Sequence, residues 1–257
     1  ADFPAADLQA LGWHSAFSGQ RTYNGVAVLS RDPVTGVVAG IPGFDDDQRR
    51  VLAASLGNLR VIDVYVPNGQ TVGSDKFAYK LRWFDALREY VAAELTLHPH
   101  LVVLGDFNVA PEDRDVHDPK AWEGSVHVSP PERAALQALL GTGLADCFRL
   151  FEQPEKSYSW WDYRMMAFRR NAGLRIDHLL LNASLALWIA GLGTLGSKGQ
   201  SLSRISLLGL LLGFIGVALL VWPADFRLTP HVGWQLLVLA AALVWSAGTI
   251  IYRNMTM

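Results

Sequence analysis

Apolar positions recur along the chain with two different periods, and the periods mark out its elements. From Leu59 to Tyr65, Leu-Arg-Val-Ile-Asp-Val-Tyr alternates strongly enough for a strand. Val66-Pro67-Asn68-Gly69 ends it, because proline cannot extend a central ladder and Asn-Gly turns, so Tyr65 falls at a strand tip. A short helix over Asp7 to Leu11 precedes two strands, Trp13 to Phe17 and Val26 to Ser30, and Gly36 to Asp47 reads as loop. From a cap at Ser74 or Asp75, helical spacing then takes over to about Leu97. Phe77, Leu81, Phe84, Leu87, Val91 and Leu95 form its stripe, with Lys80, Arg82, Arg88, Glu89 and Glu94 mostly off it. His98 and His100 flank Pro99 at its end and read as surface residues. Ser129-Pro-Pro-Glu-Arg opens another helix to about Leu140, with serine at the cap, proline in the first turn and glutamate at the box position.

The run Leu101-Val-Val-Leu-Gly-Asp-Phe-Asn is a buried strand that stops on a glycine, a carboxylate and an amide. With side chains alternating across the pleat, Asp106 and Asn108 share a face while Phe107 points away into packing. The carboxylate can orient or deprotonate water, and the amide can donate to a phosphate oxygen, which suits phosphodiester chemistry. An Asx turn at the strand end accounts for the same residues equally well. Downstream, Ser157 to Tyr163 and then Arg164 to Arg175 interleave aromatics with Arg164, Arg169, Arg170 and Arg175, ending in a strand that carries Asp177. Rings and guanidinium groups together suit a DNA backbone and an unstacked base, although Trp161 and Phe168 serve equally as a core edge.

Composition divides the chain of 257 residues, and the net charge of −2 discriminates no partner. Up to about Ala183 it mixes charged, aromatic and turn residues; after Leu185 only Lys198, Arg204, Asp225, Arg227 and Arg253 carry full charge. The lone Cys147 excludes an internal disulfide, fits a reducing compartment and reads as a small buried hydrophobe. No basic, apolar leader opens the chain, and its first residue, Ala1, suggests a processed or trimmed start.

Tyr65-Val-Pro-Asn-Gly, Leu104-Gly-Asp-Phe-Asn-Val-Ala-Pro, Ser159-Trp-Trp-Asp-Tyr-Arg and Gly173-Leu-Arg-Ile-Asp occur in an order too specific for chance. Residues 1–183 resemble the exonuclease III / AP endonuclease branch of the endonuclease/exonuclease/phosphatase superfamily. The resemblance implies a four-layer α/β sandwich, two mixed sheets flanked by helices, that cleaves DNA with Mg²⁺ or Mn²⁺ at abasic sites and from 3′ ends. It implies Asp106 as the group activating water and Asn108 as the scissile-phosphate contact, both near the metal. It further implies Tyr65 and a buried Asp177 as catalytic, with Asn68, Trp160, Arg164 and Arg175 facing double-stranded DNA. A sugar-phosphate or lipid phosphatase of the same superfamily fits the tryptophan and tyrosine motifs less well.

Two family motifs have no counterpart: the Gln-Glu-Thr-Lys glutamate, chief metal ligand, and the terminal Ser-Asp-His; Asp177-His178 belongs to the earlier motif. The expectation is therefore an incomplete sandwich and an impaired nuclease, monomeric and cytoplasmic over residues 1–183.

Ile205 to Trp222 and Gly233 to Tyr252 are apolar runs, each near the ~20 residues that cross a bilayer. Trp222, Trp234 and Tyr252 sit at their ends as interfacial aromatics do, which predicts a transmembrane hairpin in the inner or plasma membrane. Residues 185–257 resemble part of an EamA-type drug/metabolite transporter. That divides the chain into 1–183 and 184–257, joined near residues 182–185. It also leaves a second functional reading, a membrane-embedded, transporter-like fragment fused to a relic nuclease domain.

Overall fold

A computed structural model of the chain describes residues 3–182. The transmembrane hairpin and the transporter-like segment expected from the sequence lie outside the described residues. Among the described residues no helix is long and apolar enough to cross a membrane.

The chain opens with α1 (Ala5–Ala10), β1 (His14–Gly19), β2 (Gly25–Ser30), β3 (Val34–Ala39), β4 (Val51–Leu56) and β5 (Leu59–Tyr65). The long helix α2 (Asp75–Leu97) leads to β6 (Leu101–Asp106), α3 (Pro119–Trp122), α4 (Pro130–Leu140) and β7 (Leu144–Asp146). Short strands β8 (Trp160–Trp161) and β9 (Gly173–Leu174) pair with each other before β10 (Asp177–Asn182).

Six strands form the main sheet in the order β3-β4-β5-β6-β10-β7. Among the described residues its only parallel pair is β5 with β6, and parallel neighbours need a crossover, which α2 supplies. Local signals set α2 and α4: Ser74 accepts from the Phe77 N–H, and Ser129 with Glu132 closes a capping box over Pro130.

Alternation in the sheet divides the core in two. Ala53, Ile62, Val64, Leu101 and Val103 face Trp83, Phe84, Leu87 and Val91 of α2 and Leu136 and Leu139 of α4. Burying each large side chain there contributes about 1.5–3 kcal/mol. On the opposite face, Leu52, Ala54 and Val61 meet Ala16, Val26 and Val28 of the β1–β2 hairpin. A lone hairpin is marginal in water, and this one stands because its apolar face covers the central strands.

A mixed α/β sandwich is therefore present. The four-layer expectation is corrected in one respect: among the described residues the second sheet holds only β1 and β2, with no long helix packed outside it.

Other expectations also change. Strand β3 occupies the first part of the presumed loop Gly36 to Asp47. Strand β4 gave no alternating signal because Val51, Leu52, Ala53 and Ala54 are buried on both faces. His100 is buried, with its Nδ1 3.2 Å from Asn58 Nδ2. Lys80 and Glu94, placed off the α2 stripe, are buried as well. Each has an ionic partner, Glu132 for Lys80 and Arg60 for Glu94, and burial of a charge requires one. Cys147 is half-buried rather than fully enclosed.

Candidate active site at the strand ends

Register brings three of the sequence-predicted side chains together. Tyr65 pairs with Asp106 across the parallel β5–β6 ladder, and Asp177 pairs with Asp106 across the antiparallel β6–β10 ladder. Cross-strand partners share a face, so all three stand on the side of the sheet opposite α2. That side is the one the hairpin covers further along, which puts the group in a cleft rather than in the core.

Gly105 makes the close approach of β5 and β6 possible. Its φ is +132°, and a Cβ there would lie 2.0 Å from the Val64 carbonyl oxygen.

Asn108 reaches the group by a turn. Strand β6 stops at Asp106, and Asn108 adopts φ +52° in the left-handed region, so alternation does not carry it to the site. The Asx turn does: the Asn108 backbone N–H donates to Asp106 Oδ1 at 2.8 Å, and Asn108 Nδ2 donates to Asp106 Oδ2 at 3.1 Å. Nδ2 also donates to the Val66 carbonyl at 2.9 Å. Both amide hydrogens are thus engaged, and the buried Asn108 orients the Asp106 carboxylate instead of presenting a free donor to phosphate.

Burial is the main reason that Asp106 is pushed up to about 6; the Asn108 backbone N–H works against it, and the Asp177 charge adds to the rise. Lys80 and Arg50 oppose that rise more weakly. Asp177 is also raised, chiefly because neighbouring atoms desolvate its carboxyl, with a hydrogen bond to Ser159 acting the other way. The residue as a whole is exposed, which corrects the expectation of a buried aspartate.

Asn68 sits exposed at the rim. Its Nδ2 donates to Asn108 Oδ1 at 3.4 Å and lies 3.3 Å from His127 Nε2, both long contacts that a ligand could replace. His127 Nδ1 is 2.7 Å from the Asn108 carbonyl and must donate to it, which leaves Nε2 as the acceptor for Asn68. Burial lowers His127 below the usual imidazole range and keeps it neutral. Its ring stands 6.1 Å from Trp122 and 6.5 Å from Trp160, so the exposed edge of Trp160 borders the same cleft. Arg164 is exposed, pairs with Asp162 at 3.0 Å and lies over the Tyr163 ring.

Arg175 does not face outward. It is 3% exposed, donates to Asp115 at 2.7 Å and Asp146 at 2.8 Å, and its Nη1 donates to His178 Nδ1 at 3.0 Å. With its donors taken by buried Asp115, half-buried Asp146 and His178, it ties the link between β9 and β10 to β7 and does not face outward to DNA. Burial, and then the Arg175 charge, pushes His178 down to about 4, and its Nε2 donates to Val109. His178 is a neutral packing residue.

Sequence reasoning missed four contributors: Arg50, whose guanidinium covers the Tyr65 ring at 4.8 Å, then Lys80, His127 and Glu132. The Ser129-Pro-Pro-Glu motif was the one available signal for Glu132. It announces a cap and gives no hint of the lysine beneath.

As a cation site the group is partial. Asp106, Asp177 and the Asn108 amide oxygen are hard donors of the kind Mg²⁺ or Mn²⁺ takes. Among the described residues, however, no three His, Cys, Asp or Glu side chains gather to hold a metal.

Residues 1–197 match the model of the Endonuclease/Exonuclease/phosphatase family. The chain belongs to that family. Exodeoxyribonuclease III of Haemophilus influenzae is 34% identical over 72% of this chain and 74% of its own length. A solved 3′-5′ exonuclease from Neisseria meningitidis is 50% identical, with a TM-score of 0.70 and 72% of each chain covered. An AP endonuclease from Archaeoglobus fulgidus is 35% identical, with a TM-score of 0.68 and the same coverage of both chains. With these relatives the chain is an enzyme of the nuclease branch. The family match runs past the boundary expected at residue 183, and none of these findings supports a transporter-like origin for residues 185–257.

Proposed function

We propose that this family member hydrolyses phosphodiester or phosphomonoester bonds at the 3′ ends of duplex DNA and, more slowly, at abasic sites. The observation that carries this reading is the Asp106 carboxylate, fixed by two hydrogen bonds from Asn108 at the junction of three strand ends. A carboxylate held in one orientation, with its proton affinity moved toward neutrality, suits a base that takes a proton from attacking water. Tyr65 and Asp177 flank the attack position, Asn68 meets a phosphate oxygen at the rim, and Trp160 packs against a sugar or terminal base. Arg164 and its exposed neighbours Arg169 and Arg170 attract the backbone. The greater similarity to the 3′-5′ exonuclease than to the AP endonuclease favours 3′-end processing.

A divalent cation, Mg²⁺ or Mn²⁺, would be held by the Asp106 and Asp177 carboxylates, and the Asn108 amide oxygen would join them by turning toward Asp106 in place of Nδ2. Such an ion would supply neutralisation of the charge that develops on the phosphate. Two carboxylates hold such an ion weakly, so a low cleavage rate is expected of the 257-residue chain. The test compares duplexes carrying a recessed 3′ end, a 3′-phosphate or an internal abasic site, each with added Mg²⁺ and with chelator. Slow, metal-dependent loss of the 3′ group, faster than abasic incision, is expected; faster abasic incision refutes the preference, and rates matching the Neisseria exonuclease refute the impairment.

A second reading rests on the apolar runs 205–222 and 233–252, and on the division of the chain into residues 1–183 and 184–257. It gives the chain a bilayer as an additional partner through a transporter-like tail, with the nuclease part a cytoplasmic monomer. Flotation with liposomes checks it: the full chain floats and residues 1–183 stay in the dense fraction. A full chain that stays down rules it out.

A further inference from the structure

Beneath the loops that carry Asn68 and Asn108 lies a lysine whose ammonium is fully enclosed. Lys80 is 0% exposed, and its Nζ has three protons and three acceptors. It donates to the main-chain carbonyls of Asn108 at 2.8 Å and Asn68 at 3.2 Å, and to Glu132. Glu132, equally buried, accepts the His127 N–H at 3.0 Å and the Ser129 N–H at 3.2 Å, and also takes the Ser129 hydroxyl. One ion pair therefore joins α2, the start of α4 and both loops of the site.

We propose that Lys80 is a positioning residue, which holds Asn108 in its left-handed turn through the main-chain carbonyl and so sets the direction of the Asp106 carboxylate. The inference rests on Asp106 being the reactive carboxylate. Three observations support it.

Asn108 adopts φ +52°, in the left-handed region that asparagine tolerates at a smaller cost than most non-glycine residues, and its surroundings fix it there. Lys80 and His127, converging on the one Asn108 oxygen, impose it. The surrounding backbone also makes way for the lysine stem: Gly69 has φ +91°, and a Cβ there would come within 3.1 Å of Lys80 Cδ. Finally, a buried ion pair is weak as a source of stability, since hydrophobic replacements are often neutral. A buried lysine with every donor aimed at site loops and the cap of the next helix is better explained by the geometry it enforces.

Two variants of the full chain isolate the ammonium, Glu132→Gln and Lys80→Met/Glu132→Gln. Both lack the carboxylate and they differ only at residue 80: Glu132→Gln keeps the Lys80 ammonium on the Asn68 and Asn108 carbonyls without its ionic partner, at a cost in stability, and the double variant removes that buried charge. The first readout is the Asn108 side-chain NH₂ group by ¹⁵N relaxation. Its order parameter is expected to stay high in Glu132→Gln and to fall clearly in the double variant, a drop of the kind that separates rigid from flexible backbone, from about 0.85 to below about 0.6. The second is cleavage of a 3′-recessed duplex, where the double variant loses about tenfold or more in kcat against Glu132→Gln with KM within about twofold, as for misplacement of a reacting group.

Equal order of the Asn108 amide in both folded variants overturns the proposal. If the amide loosens and kcat holds, the clamp stands and the role of Asp106 falls instead. Should either variant fail to fold, the unaltered chain still decides: Lys80 ammonium protons protected from exchange, with scalar coupling to the Asn68 and Asn108 carbonyl carbons, are expected. Ammonium protons that exchange as freely as those of exposed Lys76 overturn it.

Discussion

Asp106→Asn is expected to lower cleavage of a 3′-recessed duplex by about 10²–10⁴-fold while the chain remains folded, the usual range for loss of a positioned acid or base. The amide is nearly the same size as the carboxylate, so packing around Phe107 and Gly105 is preserved. It has one oxygen where the carboxylate had two, so one of the two bonds from Asn108 is lost. Burial and the nearby Asp177 both disfavour charge at this position, and removing the charge relieves that cost. Stability should therefore hold or rise slightly as activity collapses. Steady-state rates and a thermal melt on one preparation check both halves. A variant that keeps more than about a tenth of the activity excludes Asp106 as the reactive group. One that loses activity together with its melting transition shows a structural role alone.

Gly105→Ala is expected to abolish folding, or to cost more than about 4 kcal/mol, at the severe end for a single substitution. The added Cβ at 2.0 Å from the Val64 oxygen overlaps backbone, which cannot rotate away as a side-chain tip would. Relief requires β5 and β6 to separate at the rung where Val64 faces Gly105, the rung beside Tyr65 and Asp106. Gly43→Ala is the matched control. It also has positive φ, at +81°, but nothing lies within 4 Å of its would-be Cβ, so only backbone strain of about 1–3 kcal/mol applies. Urea unfolding of both variants separates the two effects. Equal midpoints would mean that the β5–β6 contact is looser than the register requires.

Which residues were legible in advance depended on whether their signal was local. The strand ending in Gly105-Asp106 was readable because its pattern is contiguous, and Ser129-Pro-Pro-Glu announced α4 by cap chemistry that spans four residues. Strand β4 was silent, since a strand buried on both faces has no alternation, and Ala53 and Ala54 carry little propensity of their own. Lys80 looked like a solvated helix position because its partner lies 52 residues away on α4. Arg175 looked like a DNA contact for the same reason: its carboxylates, Asp115 and Asp146, come from elements that sequence order keeps apart.

Hydrophobic period, capping and turn chemistry act over a few neighbours, so the sequence by itself determined α2, α4 and the strand ends at Tyr65 and Asp106, while the nuclease family was legible from the order of its motifs. Only the tertiary structure decided which charged groups face inward. It turned Arg175 and Lys80 into buried struts, exposed Asp177, and made Asn108 the holder of Asp106 through a turn rather than a shared strand face. Burying a charge is favourable only beside a distant partner brought into hydrogen-bond range, and that distance does not exist until the sheet and helices have packed.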